Sequence, residues 1–147
     1  MPEKPKILIV DDNELNLKLC CAILQRNYQI FTATSAEEGL ESAKRTLPDL
    51  ILVDIQLPGM DGLTATRTIK SDDDLKTIPV IAVTSFAMVG DREKALSAGC
   101  DEYLPKPIDI QCLKAMVVRF LGGRSAVRGG SQTEQRPARG KADLALS

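Results

Sequence analysis

A chain of 147 residues with 44% hydrophobic side chains has room for one ordinary globular core and little more. Its formal net charge of −1 gives no bulk attraction to nucleic acid or to an anionic membrane, and the absence of histidine excludes histidine-dependent triads, metal sites and proton shuttles. No apolar run approaches the roughly 20 residues that cross a bilayer, and residues 1–6 (MPEKPK) hold no apolar signal stretch, so a cytoplasmic location is expected.

Residues 6–10 (KILIV) form a short apolar run between Pro5 and two aspartates, the pattern of a buried strand. Leu15, Leu19, Ala22 and Ile23 then recur at helical spacing. A β-rich stretch over 28–33 follows, and Ser35 with Glu38 three residues later reads as a capping box, opening a helix with Ala36, Leu40 and Ala43 on one side. The run LILV (50–53) is a second fully apolar strand, ending at Asp54. The spacing predicts a helix around 63–70, a strand over 79–83, and a shorter helix around 91–98 stopped by Gly99. A weak strand at 102–104 leads to a last helix that starts at Asp109, buries Ile110, Leu113, Val117 and Leu121, and ends at Gly122-Gly123.

Five strands alternating with five helices imply an α/β fold: a doubly wound, five-stranded parallel sheet covered on both faces, with right-handed crossovers favouring the order 2-1-3-4-5. The domain is expected to span residues 1–121. The remaining residues, 122–147, carry five basic side chains against two acidic ones, a balance of +3 that leaves −4 for the first 121. This stretch is rich in Gly, Ser and Arg and poor in apolar material, and is expected to be a disordered basic tail. Cys20, Cys21, Cys100 and Cys112 have no zinc or redox spacing and read as reduced thiols.

In an open parallel sheet, ligands bind beyond the carboxyl ends of the strands, where the strand order reverses. Four strands each deliver polar side chains to that edge: Asp11 and Asp12, Asp54, Thr84 and Lys106. Singly, each has an ordinary role: the acids as caps or turn residues, Thr84 as a cap, Lys106 as a solvated lysine. Independent caps, however, have no reason to converge on one pocket. Two carboxylates about 4 Å apart repel by about 4 kcal/mol at an effective dielectric near 20. Acids gathered in one cleft therefore call for a divalent cation, and an all-oxygen set suits Mg²⁺, with Mn²⁺ as a substitute.

Mg²⁺ commonly bridges carboxylates and phosphate oxygens, so the cleft is suited to phosphoryl chemistry. Asp54, on the middle strand, is the candidate nucleophile, forming an aspartyl phosphate. Asp12 is the candidate direct metal ligand, Asp11 acts on the metal's shell, and the Gln56 carbonyl is a third candidate ligand. Lys106 and the Thr84 hydroxyl are placed to hold phosphoryl oxygens.

The phrases ILIVDDNELN (7–16), DLILVDIQLPGMDGL (49–63), IPVIAVTS (78–85) and AGCDEYLPKPI (98–108) resemble the receiver domains of bacterial two-component response regulators, with their flavodoxin/CheY-like fold. The resemblance implies Asp54 as phosphoacceptor; Asp11, Asp12, Asp54 and Gln56 around Mg²⁺; Thr84 and Tyr103 as switch residues; and a cis Lys106–Pro107 bond. It implies a sensor histidine kinase or histidine phosphotransfer protein as phosphodonor and a downstream protein as partner, with no direct role for nucleic acid or membrane. The phrases DNELN (12–16), DIQLP (54–58) and DDDL (72–75), with the run at 86–91, resemble DivK-type single-domain regulators of cell division and polarity. The implied protein is a stand-alone phosphoreceiver rather than an enzyme, one that assists its own phosphorylation and slow dephosphorylation.

Three alternatives share parts of this pattern. A haloacid-dehalogenase-type phosphatase needs an acid two residues after its nucleophile, and Gln56 is an amide. A flavin binder needs a phosphate loop after Val10, and the chain has no tryptophan to stack on a flavin. A scaffold receiver that is never phosphorylated has no use for Asp54, Thr84 and Lys106 together.

Overall fold

The structure is a computed structural model that describes residues 4–85 and 90–122. Five strands alternate with five helices: β1 (Lys6–Val10), α1 (Glu14–Leu24), β2 (Gln29–Ala33), α2 (Ala36–Thr46), β3 (Leu50–Asp54), α3 (Gly62–Ser71), β4 (Val80–Thr84), α4 (Asp91–Ser97), β5 (Glu102–Pro105) and α5 (Ile110–Leu121). All pairings are parallel, in one sheet ordered β2-β1-β3-β4-β5, as the sequence predicts. Of the expected tail, residues 123–147 lie outside the described residues, as does part of the run at 86–91.

Alternation along the strands builds two cores. Leu8, Val10, Ile51, Val53, Val80 and Ala82 face one layer, which α2, α3 and α4 cover. Ile7, Ile9, Leu50, Leu52, Ile81 and Val83 face the other, which α1 and α5 cover. The three central strands therefore read as unbroken apolar runs, because both of their faces are dry. Each such valine, leucine or isoleucine stabilises the fold by about 1.5–3 kcal/mol. The sheet can carry costly polar groups at its edge because its interior is this well filled.

The helix starts follow their caps. Asn13, Ser35, Asp61 and Asp109 each accept a hydrogen bond from the backbone N–H three residues on. The Ser35 and Glu38 pair forms as expected, with one difference. The Glu38 carboxylate reaches past the cap residue to accept from the N–H of Thr34 at 2.7 Å and from its hydroxyl at 3.1 Å. Gly99 closes α4 in a left-handed conformation, with Cys100 N–H donating to Ala95 O and Gly99 N–H to Leu96 O.

The buried faces of the first and last helices differ in part from what their apolar spacing suggests. Helix α1 packs through Leu17, Cys20 and Leu24, while Leu15 is 76% exposed and Leu19 41%. Of the four residues that recur at helical spacing here, Ile23 is partly buried against this core while Leu15 and Leu19 are exposed, so the spacing marks the helix and not its buried face. In α5, Leu113, Val117 and Leu121 are buried as expected, but Ile110 in the first turn is 41% exposed.

Candidate functional site

At the carboxyl edge of the sheet, β1 runs into Asp11 and β3 ends in Asp54, both buried. Asp12 is exposed beside them. Ligating oxygens of Asp11, Asp12 and Asp54 lie within 4.8 Å of one another. The β5–α5 connection, with Lys106–Pro107 in cis, carries Lys106 back over this edge. Its Nζ donates to Asp54 Oδ2 at 2.8 Å and stands 3.0 Å from Asp11 Oδ2. The expected convergence of acids and lysine is present.

Each carboxylate is further held by its own chain. Asp54 Oδ1 accepts from the Gln56 N–H at 2.9 Å. Asp11 Oδ1 accepts from the Asn13 N–H, and its Oδ2 from the Asn16 side-chain amide at 3.0 Å. Thr84, fully buried at the end of β4, accepts the Lys106 N–H on its carbonyl at 2.7 Å, which fixes the root of the lysine. Gln56 is exposed, and its side-chain oxygen accepts from the Ser85 N–H at 3.3 Å.

The electrostatics follow from burial. Desolvation raises the Asp54 carboxyl above its ordinary range; the Lys106 and Gln56 hydrogen bonds oppose this, and the Asp11 charge adds to it. Burial pulls the Lys106 ammonium down, but its bonds to Asp54 and Asp11 outweigh that and leave it raised. The site is thus a concentrated negative charge offset by one ammonium group.

The oxygen-only donor set fits Mg²⁺. The nearby Cys20 thiol is pushed up to about 11, first by burial and then by Asp11, so it stays protonated and offers no thiolate. Tyr103, half-buried on β5, packs against the layer of α2, α3 and α4. Its hydroxyl is buried with no hydrogen-bond partner among the described residues, and burial and then Asp91 raise its pKa.

Residues 7–118 match the family described as the response regulator receiver domain. The chain belongs to that family. Among its relatives, the polar-differentiation response regulator DivK of Brucella anthropi is 44% identical over 117 residues, covering 79% of this chain and 95% of DivK. The receiver domain of a sensor histidine kinase from Pseudomonas aeruginosa, with a magnesium ion coordinated in its active-site cleft, matches with 36% identity and a TM-score of 0.75, covering 81% of this chain and 98% of that one. The signal receiver domain of a histidine kinase from Syntrophus aciditrophicus matches with 34% identity and a TM-score of 0.75, covering 88% and 98%.

Sequence reasoning about this receiver missed two site residues. Asn16 orients Asp11 through its side-chain amide and also gives its N–H to the Asn13 cap. The signal was the i, i+3 pair of asparagines, which reads as a cap alone. Gly62 packs against the backbone of Asp54 and Ile55 so closely that a β-carbon would overlap it. A glycine after Asp61 reads as ordinary turn chemistry until that contact is seen.

Proposed function

We propose that this receiver accepts a phosphoryl group on Asp54 from a sensor histidine kinase or a histidine phosphotransfer protein, in a Mg²⁺-dependent reaction in the cytoplasm. The observation that carries the reading is the Asp54 carboxylate, buried at the sheet edge with Asp11 beside it and Lys106 at 2.8 Å. An Asp54 oxygen bonds to phosphorus as the bond from phosphorus to the donor's imidazole nitrogen breaks, the electron pair leaving with that nitrogen.

Asp12, Asp54 and the Gln56 carbonyl would hold Mg²⁺, or Mn²⁺ in its place, with Asp11 acting on its shell. When bound, the cation neutralises charge on the phosphoryl oxygens. Lys106 turns from a carboxylate oxygen to a phosphoryl oxygen, and the Thr84 hydroxyl takes another. The same residues let the chain assist its own phosphorylation. Gln56, an amide without acid–base capacity, leaves dephosphorylation slow.

The phosphoryl group, with a charge of about −1.5 to −2 in place of the carboxylate's single charge, is read by a downstream protein at the surface of α4, β5 and α5, through Thr84 and Tyr103. The similarity to the polar-differentiation regulator DivK supports a stand-alone role in cell division or polarity. Incubation with acetyl phosphate and Mg²⁺ tests the reading. The wild type is expected to take up label and Asp54→Asn none; equal labelling of both would overturn it.

A further inference from the structure

Parallel strands β3 and β4 run in register with Asp54 beside Val83, and the Ile55 N–H donates to Val83 O at 2.9 Å. In a parallel ladder the next bond in that series would run from the Ser85 N–H to Ile55 O. It is not made there. The chain turns away after Ile55, and Ile55 O accepts the Gly62 N–H at 3.0 Å instead. The Ser85 N–H is left at the end of the sheet, on the edge that carries Asp54, and Gln56 Oε1 takes it at 3.3 Å.

Gln56 therefore spans the cleft. Its backbone N–H holds Asp54 Oδ1, and its side-chain oxygen holds the last ladder donor of β4. A phosphoryl group on Asp54 would bring three strong acceptor oxygens into the same space. We infer that the Gln56 side chain is a positioning residue that occupies the Ser85 N–H in the unmodified protein and must release it when Asp54 is phosphorylated, so that it competes with the phosphoryl group for one donor.

The inference rests on Asp54 being the phosphoacceptor. It differs from a purely structural role for Gln56 because losing the side-chain acceptor should favour the modified state. The carbonyl of Gln56, assigned to the metal, is untouched by side-chain replacement.

Gln56→Met keeps the length of the side chain and removes the acceptor, and Gln56→Ala removes both. Gln56 is exposed, so neither change opens a cavity in the core. Two measurements on the full chain with Mg²⁺ test the inference. Amide hydrogen exchange at Ser85, without phosphodonor, is expected to be about threefold to tenfold faster in both variants, the range that one modest hydrogen bond allows. Affinity for beryllofluoride, an analogue of the phosphoryl group, is expected to be tighter in both variants by about the same factor.

Unchanged Ser85 exchange would overturn the inference, because the bond would carry no weight. Faster exchange with unchanged or weaker beryllofluoride binding would also overturn it, because the two acceptors would not then compete. Failure of the wild type to label with acetyl phosphate is a separate result: it removes the phosphoacceptor reading, whatever Ser85 exchange shows.

Discussion

Gly62 lies directly against the Asp54 backbone: a β-carbon there would overlap the Asp54 carbonyl oxygen and stand 2.7 Å from the Ile55 Cα. The neighbours are main chain, so no side-chain rotation can relieve the overlap. The Gly62 N–H also donates to Ile55 O, tying the first turn of α3 to the loop that follows Asp54. Gly62→Ala is expected to cost about 1–3 kcal/mol of stability, the usual penalty of overpacking. Because the displaced segment carries Asp54 and Gln56, labelling by acetyl phosphate should fall as well. Urea denaturation and labelling of the same preparation check both; full stability with full labelling would refute the close approach.

Lys106 is the only cation bonded to Asp11 and Asp54 among the described residues, and all three side chains are largely buried. Removing one partner of a buried ion pair costs about 3–5 kcal/mol, since the remaining charge stays desolvated. Lys106→Met in metal-free buffer should therefore be strongly destabilised. Mg²⁺ should then restore more stability than it adds to the wild type, because it no longer competes with an ammonium group for those oxygens. Thermal melts across a Mg²⁺ titration read this directly. An equal Mg²⁺ effect in both proteins would mean that Lys106 and the cation do not compete for those oxygens, and no effect in either that the acids do not bind the cation.

Asp54→Asn should act in the opposite direction. Desolvation raises the Asp54 carboxyl in the fold, so the ionised group subtracts from stability at neutral pH and gives that stability back as pH falls through its folded value. A neutral amide removes the penalty while leaving Lys106 its bond distance to Asp11. Metal-free Asp54→Asn is expected to melt above the wild type at pH 7. An unchanged or lower Tm would show that the pocket does not strain this charge.

The sheet and its polar edge were legible because both depend on patterns of neighbouring residues. LILV before Asp54, and KILIV before Asp11 and Asp12, announce dry strands that end in charge, and parallel topology brings such ends together. What escaped reading depends on contacts between distant residues. Helix α1 has enough apolar residues for two faces, and only the sheet beneath it selects Leu17, Cys20 and Leu24 over Leu15 and Leu19. Asn16 and Gly62 owe their places to atoms of Asp11 and Asp54, which no local pattern encodes. The reach of Gln56 to Ser85 depends in the same way on where the β3–β4 ladder stops.

Leu47 ends α2 in the left-handed region, at φ 49°, and is the one non-glycine residue with positive φ among the described residues. An L-residue with a β-carbon pays about 1–2 kcal/mol there, and the following Pro48 narrows its choices further. Its side chain is 53% exposed, so packing returns little. Leu47→Asn, with a side chain at ease in this conformation, is expected to stabilise the fold by about 0.5–1 kcal/mol. Leu47→Gly should gain less, since glycine also frees the unfolded chain. A shift of the urea midpoint upward for Asn, and less so for Gly, checks the pair; a loss with Asn would show that the exposed leucine contributes packing after all.

Acid sensitivity should divide between two carboxylates that are not part of the site. Glu38 is held below its ordinary range by the Thr34 N–H and then by the Thr34 hydroxyl, and Asp72 is held below its range first by the hydrogen bond from Lys44. A depressed folded pKa contributes stability that is present above the unfolded value and lost as pH falls through the folded one. Both groups should therefore steepen the loss of stability below about pH 4.5, where unfolded carboxyls begin to protonate. The Lys44–Asp72 pair, 2.7 Å apart with Lys44 62% exposed, is open to screening by salt. The Glu38 bonds are made to the neighbouring, uncharged Thr34, and the charge of Arg45 is the smallest of the causes that hold the carboxyl down. Glu38→Gln should flatten the acid limb equally at low and high salt, whereas Asp72→Asn should flatten it mainly at low salt. Denaturation midpoints from pH 7 down to the acid limb, at two ionic strengths, separate the two. If Glu38→Gln lost its effect at high salt, the hydrogen bonds to Thr34 would not be what holds its proton off.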